Sequence, residues 1–394
     1  MTVRVNKSAF NIREKLSELE RPIGVKGSEL MRAETAQDAR DLVSAGRKNL
    51  IINGAMQVAQ RGTVVNAGNE YGGPDRFYFG KNDGAFTISQ DTDVPSGQGF
   101  ANSWKADVTS TAGTAGSFYV TFEHRFEGLN LQSIKKGTSN AESLTLSFWI
   151  KSTKTGTYIA EFYDNDNNRQ ISKSYTVNSA NTWEKKIITY PADTTGTFGN
   201  DNALSLTLIL WLYAGSTWTS GTLNDTAWGS GLSTPNRAVG QVNAADNTAN
   251  NIYITGVQLE VGKNATEFEH RSYGEEFALC QRYYQYVGDL WLHTWSHQIA
   301  DTGGMRIQQW TYPGGKMRAT PTATYYDASS GGNLNKWAVE DPDRLANNTN
   351  VSISMQHNAY MSSGGFKYPG AVANFSLGQS GVAVAYRMAL SSEL

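Results

Sequence analysis

The chain has 394 residues, with 34 Lys and Arg against 36 Asp and Glu and a formal net charge of -2. That length admits two or three domains with cores of their own, and the near-neutral balance supplies no global field to draw the chain to nucleic acid or an anionic membrane. The single cysteine, Cys280, cannot close an intrachain disulfide, which excludes a disulfide-stapled fold and fits folding in a reducing cytosol. The first twenty residues are charged throughout, so no signal peptide is expected. The most apolar run, Leu204 to Tyr213, falls well short of the roughly 18 residues a membrane span needs. With 39 Gly, 11% aromatic and only 18% charged residues, the composition is that of an all-β protein whose surfaces are built from Ser, Thr and Asn.

Residues 1–46 read as a helical leader. Ile12, Leu16 and Leu19 recur at helical spacing before the Arg21-Pro22 step. In a second helix Thr35 is the N-cap with Asp38 three residues on, Leu42 and Val43 form a narrow apolar stripe with Ala39, and Gly46 is the C-cap. Helices this short are marginal alone in water, so the leader is expected to order against other copies or a partner, with a disordered leader as the alternative.

From Asn49 the period changes to two. The segment Asn49 to Arg61 opens a β-rich region with a short apolar strand and an Asn-Gly turn, and Ile254 to Tyr284 closes it. In Ser143 to Lys151, Leu144, Leu146, Phe148 and Ile150 face one way, and Thr145, Ser147, Trp149 and Lys151 the other. Leu204 to Leu212 alternates likewise, leaving Ile209, Trp211 and Tyr213 on the face opposite the leucines. In Ile252 to Val261 the apolar parity shifts at Gly256, which predicts a bulge. Further strands are expected over residues 75–80, 85–90, 103–108, 118–126, 157–164, 171–177 and 182–190. The economical solution is an antiparallel, jelly-roll-like β-sandwich over residues 47–275. A smaller C-terminal β domain over residues 276–394 follows, with strands expected at 280–286, 290–299, 305–312, 322–327, 351–356 and 382–389.

No catalytic constellation emerges. His293 and His297 alternate on a strand, where residues four apart lie about 13 Å from each other and cannot share one metal ion. The pairs Glu275-Glu276 and Asp341 with Asp343 are sequence neighbours, whereas glycoside hydrolysis needs carboxylates facing across a cleft. No phosphate loop, nucleophile elbow or Cys/His metal spacing is present. Binding chemistry has more support. Trp211, Tyr213, Trp218 and Trp228 lie in a Gly/Ser/Thr-rich stretch where aromatic planes beside amides and carboxylates suit sugar rings, or where they clamp the sandwich edge or an interchain seam. The second domain offers Trp291, Trp295, Trp337, Tyr360 and Tyr368.

Taken together, NLIINGAMQVAQRG, DRFYF, SFWIKSTKTGTY, VGQVNAADNTANNIYITGVQLEVG, TEFEHRSYGEE and LCQRYYQ resemble the jelly-roll body of bacteriophage tail fibres, of short-tailed and cyanophage-like kinds, over about Asn49 to Gln285. KSAFNIREKLSELERPIG and GSELMRAETAQDARDLVSAGRKN are similar to the helical leader by which such fibres attach to the tail. The resemblance implies a homotrimer in the virion tail, made in the host cytoplasm. Its N-terminus would dock on tail or adaptor proteins and its distal tip would bind a host surface receptor, a glycan or a protein. A non-enzymatic glycan-binding fibre is the expectation, and a glycan-cleaving tail spike and a purely structural fibre are the alternatives. The sandwich also distantly resembles carbohydrate-binding modules that carry a structural calcium near an Asn-Gly-containing strand. Ala55 and Gln57 depart from their ligand pattern, so no metal or other cofactor is assigned.

Overall fold

The computed structural model describes residues 48–294 and, beyond them, 304–306, 317–319, 321–326, 336–341, 344–352, 360–361, 367–368, 372–374 and 382–394. The leader positions Ile12, Leu16, Leu19, Leu42 and Val43 lie outside the described residues.

The protein is mainly β. Twelve strands form the sandwich: β1 (Val64–Val65), β2 (Glu70–Tyr71), β3 (Phe77–Lys81), β4 (Ala85–Asp91), β5 (Ser103–Ser110), β6 (Tyr119–Glu127), β7 (Leu144–Ser152), β8 (Gly156–Asp164), β9 (Arg169–Val177), β10 (Glu184–Tyr190), β11 (Leu204–Ala214) and β12 (Asn251–Val261). They build two six-stranded antiparallel sheets, the first in the order β1-β4-β5-β12-β7-β10 and the second β2-β3-β6-β11-β8-β9. Most connections cross from one sheet to the other, so each strand must bury one face against the opposite layer. The alternation read in β7 holds, with Leu144, Leu146, Phe148 and Ile150 all in the core. Phe77 stacks on Phe122 at 4.8 Å and Trp104 meets Phe122 edge-on at 4.7 Å, filling the middle with rings.

The bulge predicted in β12 is present. Gly256 has φ +61°, and the β12–β7 register shifts between Thr255 and Gln258, so Ile252, Ile254, Val257 and Leu259 all reach the core. The opening segment differs from the strand expected there. Residues 49–55 are not a strand but a buried, turning segment that plugs the bulge. Asn49 Oδ1 accepts from the backbone N–H of Leu259 at 3.0 Å and of Ile51 at 2.9 Å, while its Nδ2 donates to the Val257 carbonyl at 3.1 Å. Asn53 sits at φ 62° and closes the turn, donating from Nδ2 to the Val58 and Asp75 carbonyls. A Cβ on Gly54 would collide with the Val257 carbonyl oxygen, so only glycine lets the Val257 N–H reach the Gly54 carbonyl at 2.9 Å.

Arg271 ties this plug to the closing segment. Its guanidinium, 2% exposed, donates to the carbonyls of Asn49 and Ile51 and pairs with Glu269 and Glu276. Glu276 in turn accepts from the Asn53 N–H at 2.5 Å, and Glu269 from the N–H groups of Lys48 and Asn49. Two helices follow β11 and β12: α1 (Ser216–Thr219) and α2 (Tyr273–Gln281). The strand expected over Cys280 to Tyr286 begins only at Tyr284, because Cys280 and Gln281 belong to α2. The Ser272 side chain caps α2 by accepting from the Glu275 N–H, and the helix runs through Cys280, whose buried thiol packs with Ile52, Val58 and Tyr283. Burial pushes the Cys280 thiol well above its usual range, as an inert core thiol requires.

Beyond α2, β13 (Tyr284–Thr294), β14 (Gly304–Arg306), β15 (Thr322–Tyr326), β16 (Lys336–Asp341), β17 (Arg344–Ser352), β18 (Tyr360–Met361), β19 (Lys367–Tyr368), β20 (Val372–Asn374) and β21 (Val382–Ser391) follow. β21 pairs with β13, β15 and β16, and β16 pairs with β17. After β21 the chain returns to the sandwich. Glu393 pairs with Arg61 at 3.1 Å and with the fully buried Arg76, whose guanidinium lies 3.5 Å from the Tyr283 ring centroid. Tyr71 and Arg125 donate to the Leu394 backbone oxygen.

Replacing Arg271 by Leu would leave Glu269 and Glu276 without their cation and strip two buried carbonyls of a donor. The expected loss of stability is about 3–5 kcal/mol, measured as a shift in the urea unfolding midpoint. A loss under about 1 kcal/mol would show that the opening and closing segments do not depend on Arg271.

Candidate functional site

The outer face of the first sheet carries aromatic rings among polar side chains. Strand register sets them in rows. Trp149 of β7 stands opposite Lys185 of β10 on one side and Thr255 of β12 on the other. Two residues along, Lys151 stands opposite Tyr253, which faces Lys105 of β5. Trp149 is half-buried, and beside it opens a groove of about 160 Å³ lined by Gln98, Phe100, Ser147, Trp149, Lys185, Gly256, Thr266, Glu267, Phe268 and His270.

Two features of the sequence build this groove. At Gly256 the bulge leaves no side chain, and a Cβ there would sit 2.6 Å from Phe100 Cζ and 3.1 Å from Trp149 Cδ1. The glycine therefore lets the two rings converge. The other feature is the strap of residues 262–271, laid across the outer face of β12. Gln258 and Glu260 hold it by accepting from the Glu269 and Thr266 N–H groups at 2.8 and 3.0 Å. With Glu269 and Arg271 turned toward the plug, Phe268 and His270 meet Phe100, with ring centroids 4.9 to 5.3 Å apart. The result is an aromatic wall and a tryptophan beside a mixed set of donors and acceptors. Lys185 donates, Glu267 accepts, and Gln98 and Ser147 do both, which is the pairing that hydroxyl groups require.

The candidates read from sequence fall elsewhere. Trp211 is 2% exposed, not on a wet face. The connection between β11 and β12 folds back over the second sheet, and Arg237 donates to Glu161 Oε1 at 2.7 Å while Trp211 Nε1 donates to Glu161 Oε2 at 2.8 Å. Burial raises the Glu161 carboxyl above the usual range, against the pull of Arg237. Trp218 packs 5.4 Å from Trp211 and is half-buried. A register shift after Trp211 turns Tyr213 inward, where its hydroxyl donates to the Gly113 carbonyl at 2.9 Å. Trp228 is buried, and its Nε1 donates to the Pro191 carbonyl at 2.9 Å. Trp211, Tyr213 and Trp228 are thus buried and fit the clamp of the sandwich edge rather than sugar contact, while Trp218 remains half-buried beside them. Trp291, Trp337, Tyr360 and Tyr368 lie on the backbones of β13, β16, β18 and β19, with side chains outside the described residues. Trp295 lies wholly outside them.

The groove itself was half legible. Alternation puts Trp149 on the outward face of β7, and TEFEHR stands out as a motif. What joins them to Phe100 is the bulge and the path of the strap, which no local pattern encodes. Of the carboxylate pairs, Glu276 is taken up by Arg271 and Asn53, and Asp343 lies outside the described residues. Among the described residues no group of three or more His, Cys, Asp or Glu could hold a metal ion. One oxygen cage is filled by the chain itself: the Lys136 ammonium lies 2.6 Å from Asp164 and 3.0 Å from Asp193 and donates to the Thr195 and Gly196 carbonyls.

Burial separates the two tryptophans experimentally. Trp211→Ala is expected to cost about 3–5 kcal/mol of stability, whereas Trp149→Ala should cost about 1 kcal/mol or less, both read from denaturant midpoints. Equal costs would place Trp149 in the core rather than at a surface site.

No family model matches the chain, and no curated protein does. Among solved structures, the enzymatically active domain of bacteriophage CBA120 tailspike protein 4 is similar at 14% identity and TM-score 0.29, covering 50% of this chain and 21% of that one, about a fifth of its length. A sugar binding protein described from Bacteroides thetaiotaomicron is similar at 12% identity and TM-score 0.30, over 54% of this chain and all of that one. The CBM22-1 xylan-binding domain from Paenibacillus barcinonensis is similar at 12% identity and TM-score 0.25, over 56% of this chain and all of that one. The structural neighbours of this chain thus include a phage tailspike domain and carbohydrate-binding modules.

Proposed function

We propose that the chain is a glycan-binding fibre protein of a phage tail, which adsorbs to a host surface polysaccharide without cleaving it. The observation that carries the reading is the groove beside Trp149. Its aromatic rings suit the C–H faces of a sugar, and its mixed donors and acceptors suit the hydroxyls. Among the described residues Glu267 is the one carboxylate lining it, whereas glycoside hydrolysis uses two, and this favours binding over depolymerisation. The resemblance to tail fibres supplies the rest of the proposal: residues 1–46 anchor the protein to the tail, three chains assemble, and residues 276–394 form the distal tip. In this reading the sandwich contributes a sugar contact of its own, besides any made by the tip.

The test is capture of host envelope polysaccharide by the purified full-length chain. Trp149→Ala is expected to weaken capture about tenfold or more, a loss of about 1.4 kcal/mol, while the chain stays folded with its stability lowered by about 1 kcal/mol or less. Undiminished capture by that variant would remove the groove from the function. Release of reducing ends from the polysaccharide would replace the reading by that of a tail spike. In light scattering the same preparation should show three chains, and a monomer would overturn the assembly.

A further inference from the structure

We infer that the groove takes one terminal sugar ring of a glycan and not the interior of an extended chain; this rests on the sugar-binding reading above. Size is the first reason. At about 160 Å³ the space matches a cavity of about 150 Å³ that holds one benzene-sized guest, so one six-membered ring fills it.

The second reason is that the groove is closed in both directions along the strands. Toward one end, the next row of the sheet already has its ring faces occupied. Lys151 lies 4.4 Å from the Tyr253 ring centroid and 5.8 Å from that of Trp183, and Lys105 lies 5.3 Å from Tyr253. Asp93 holds this row together, accepting from Trp183 Nε1 at 2.9 Å and pairing with Lys151. In the row of Trp149 itself, Thr255 donates to the Asn102 carbonyl at 2.7 Å, which fastens the loop before β5 beside it. Toward the other end the strap covers Gln258, which is fully buried. A sugar chain lying flat along the strands would therefore meet the protein's own lysines on one side and the strap on the other. A ring entering end-on meets neither.

The experiment uses the polysaccharide captured in the assay above, cut to a ladder of one to six units and titrated into the full-length chain by calorimetry. A single unit should bind within about threefold of the hexamer, and Trp183→Ala should leave every affinity unchanged. An affinity that climbs tenfold or more from one unit to three would overturn the inference while leaving sugar binding intact. So would a loss with Trp183→Ala confined to the longer members.

Discussion

The structure depends on the knot formed where the first described residues meet the last strand of the sandwich. β12 lies in the middle of the first sheet, and because β5 pairs with it only as far as Ile254, the Val257 carbonyl and Leu259 N–H beyond the bulge at Gly256 have no strand partner on that side. Buried backbone groups cannot be left unpaired without cost. Asn49 satisfies both, and Gly54 brings the turning backbone close enough to satisfy Val257 again. Arg271 then binds the plug to the strap and to α2 through two carboxylates and two carbonyls. The plug, the bulge and the strap are one cooperative unit, because removing any one exposes the buried polar groups of the others.

This unit also decides where a ligand can be met. The strap is held by its inward residues, Glu269 and Arg271, and so presents Phe268 and His270 toward Phe100. The glycine that makes the bulge clears the space between Phe100 and Trp149. A structural requirement of β12 and an open aromatic groove therefore share one residue. The second sheet followed the opposite course. Its outer face is sealed by the β11–β12 connection, where Arg237 and Trp211 divide the two oxygens of Glu161, and by the returning chain end in the cage of Arg61, Arg76 and Arg125. Buried ion pairs of this kind contribute little net stability but are costly to break singly, so they hold those segments to a single arrangement.

Much of the sandwich was legible in the chain because period-two alternation follows directly from one buried face per strand. The inward leucines, phenylalanine and isoleucine of β7 and the parity break at Gly256 follow from it. The same rule misled at Trp211. Alternation tells which side of a strand a residue faces, and it does not tell whether a distant loop returns to cover that side. Ile209 and Trp211 face away from the leucines as read, yet Ala238 and Trp218 close over them. Of the strand expected over Cys280 to Tyr286, Tyr284 to Tyr286 open β13, while Cys280 and Gln281 end a helix, because the Ser272 cap and burial against Ile52 and Val58 outweigh local preference.

The sequence alone determined the class of fold, the position of most strands, the bulge and the segments that open and close the sandwich, since each rests on local periodicity or on backbone freedom peculiar to glycine and asparagine. Only the tertiary structure decided which aromatics are open. Exposure belongs to the assembly of distant segments: Trp211 is closed by residues about 26 positions later, and Trp149 is left open because a strap more than a hundred residues away stops at its edge.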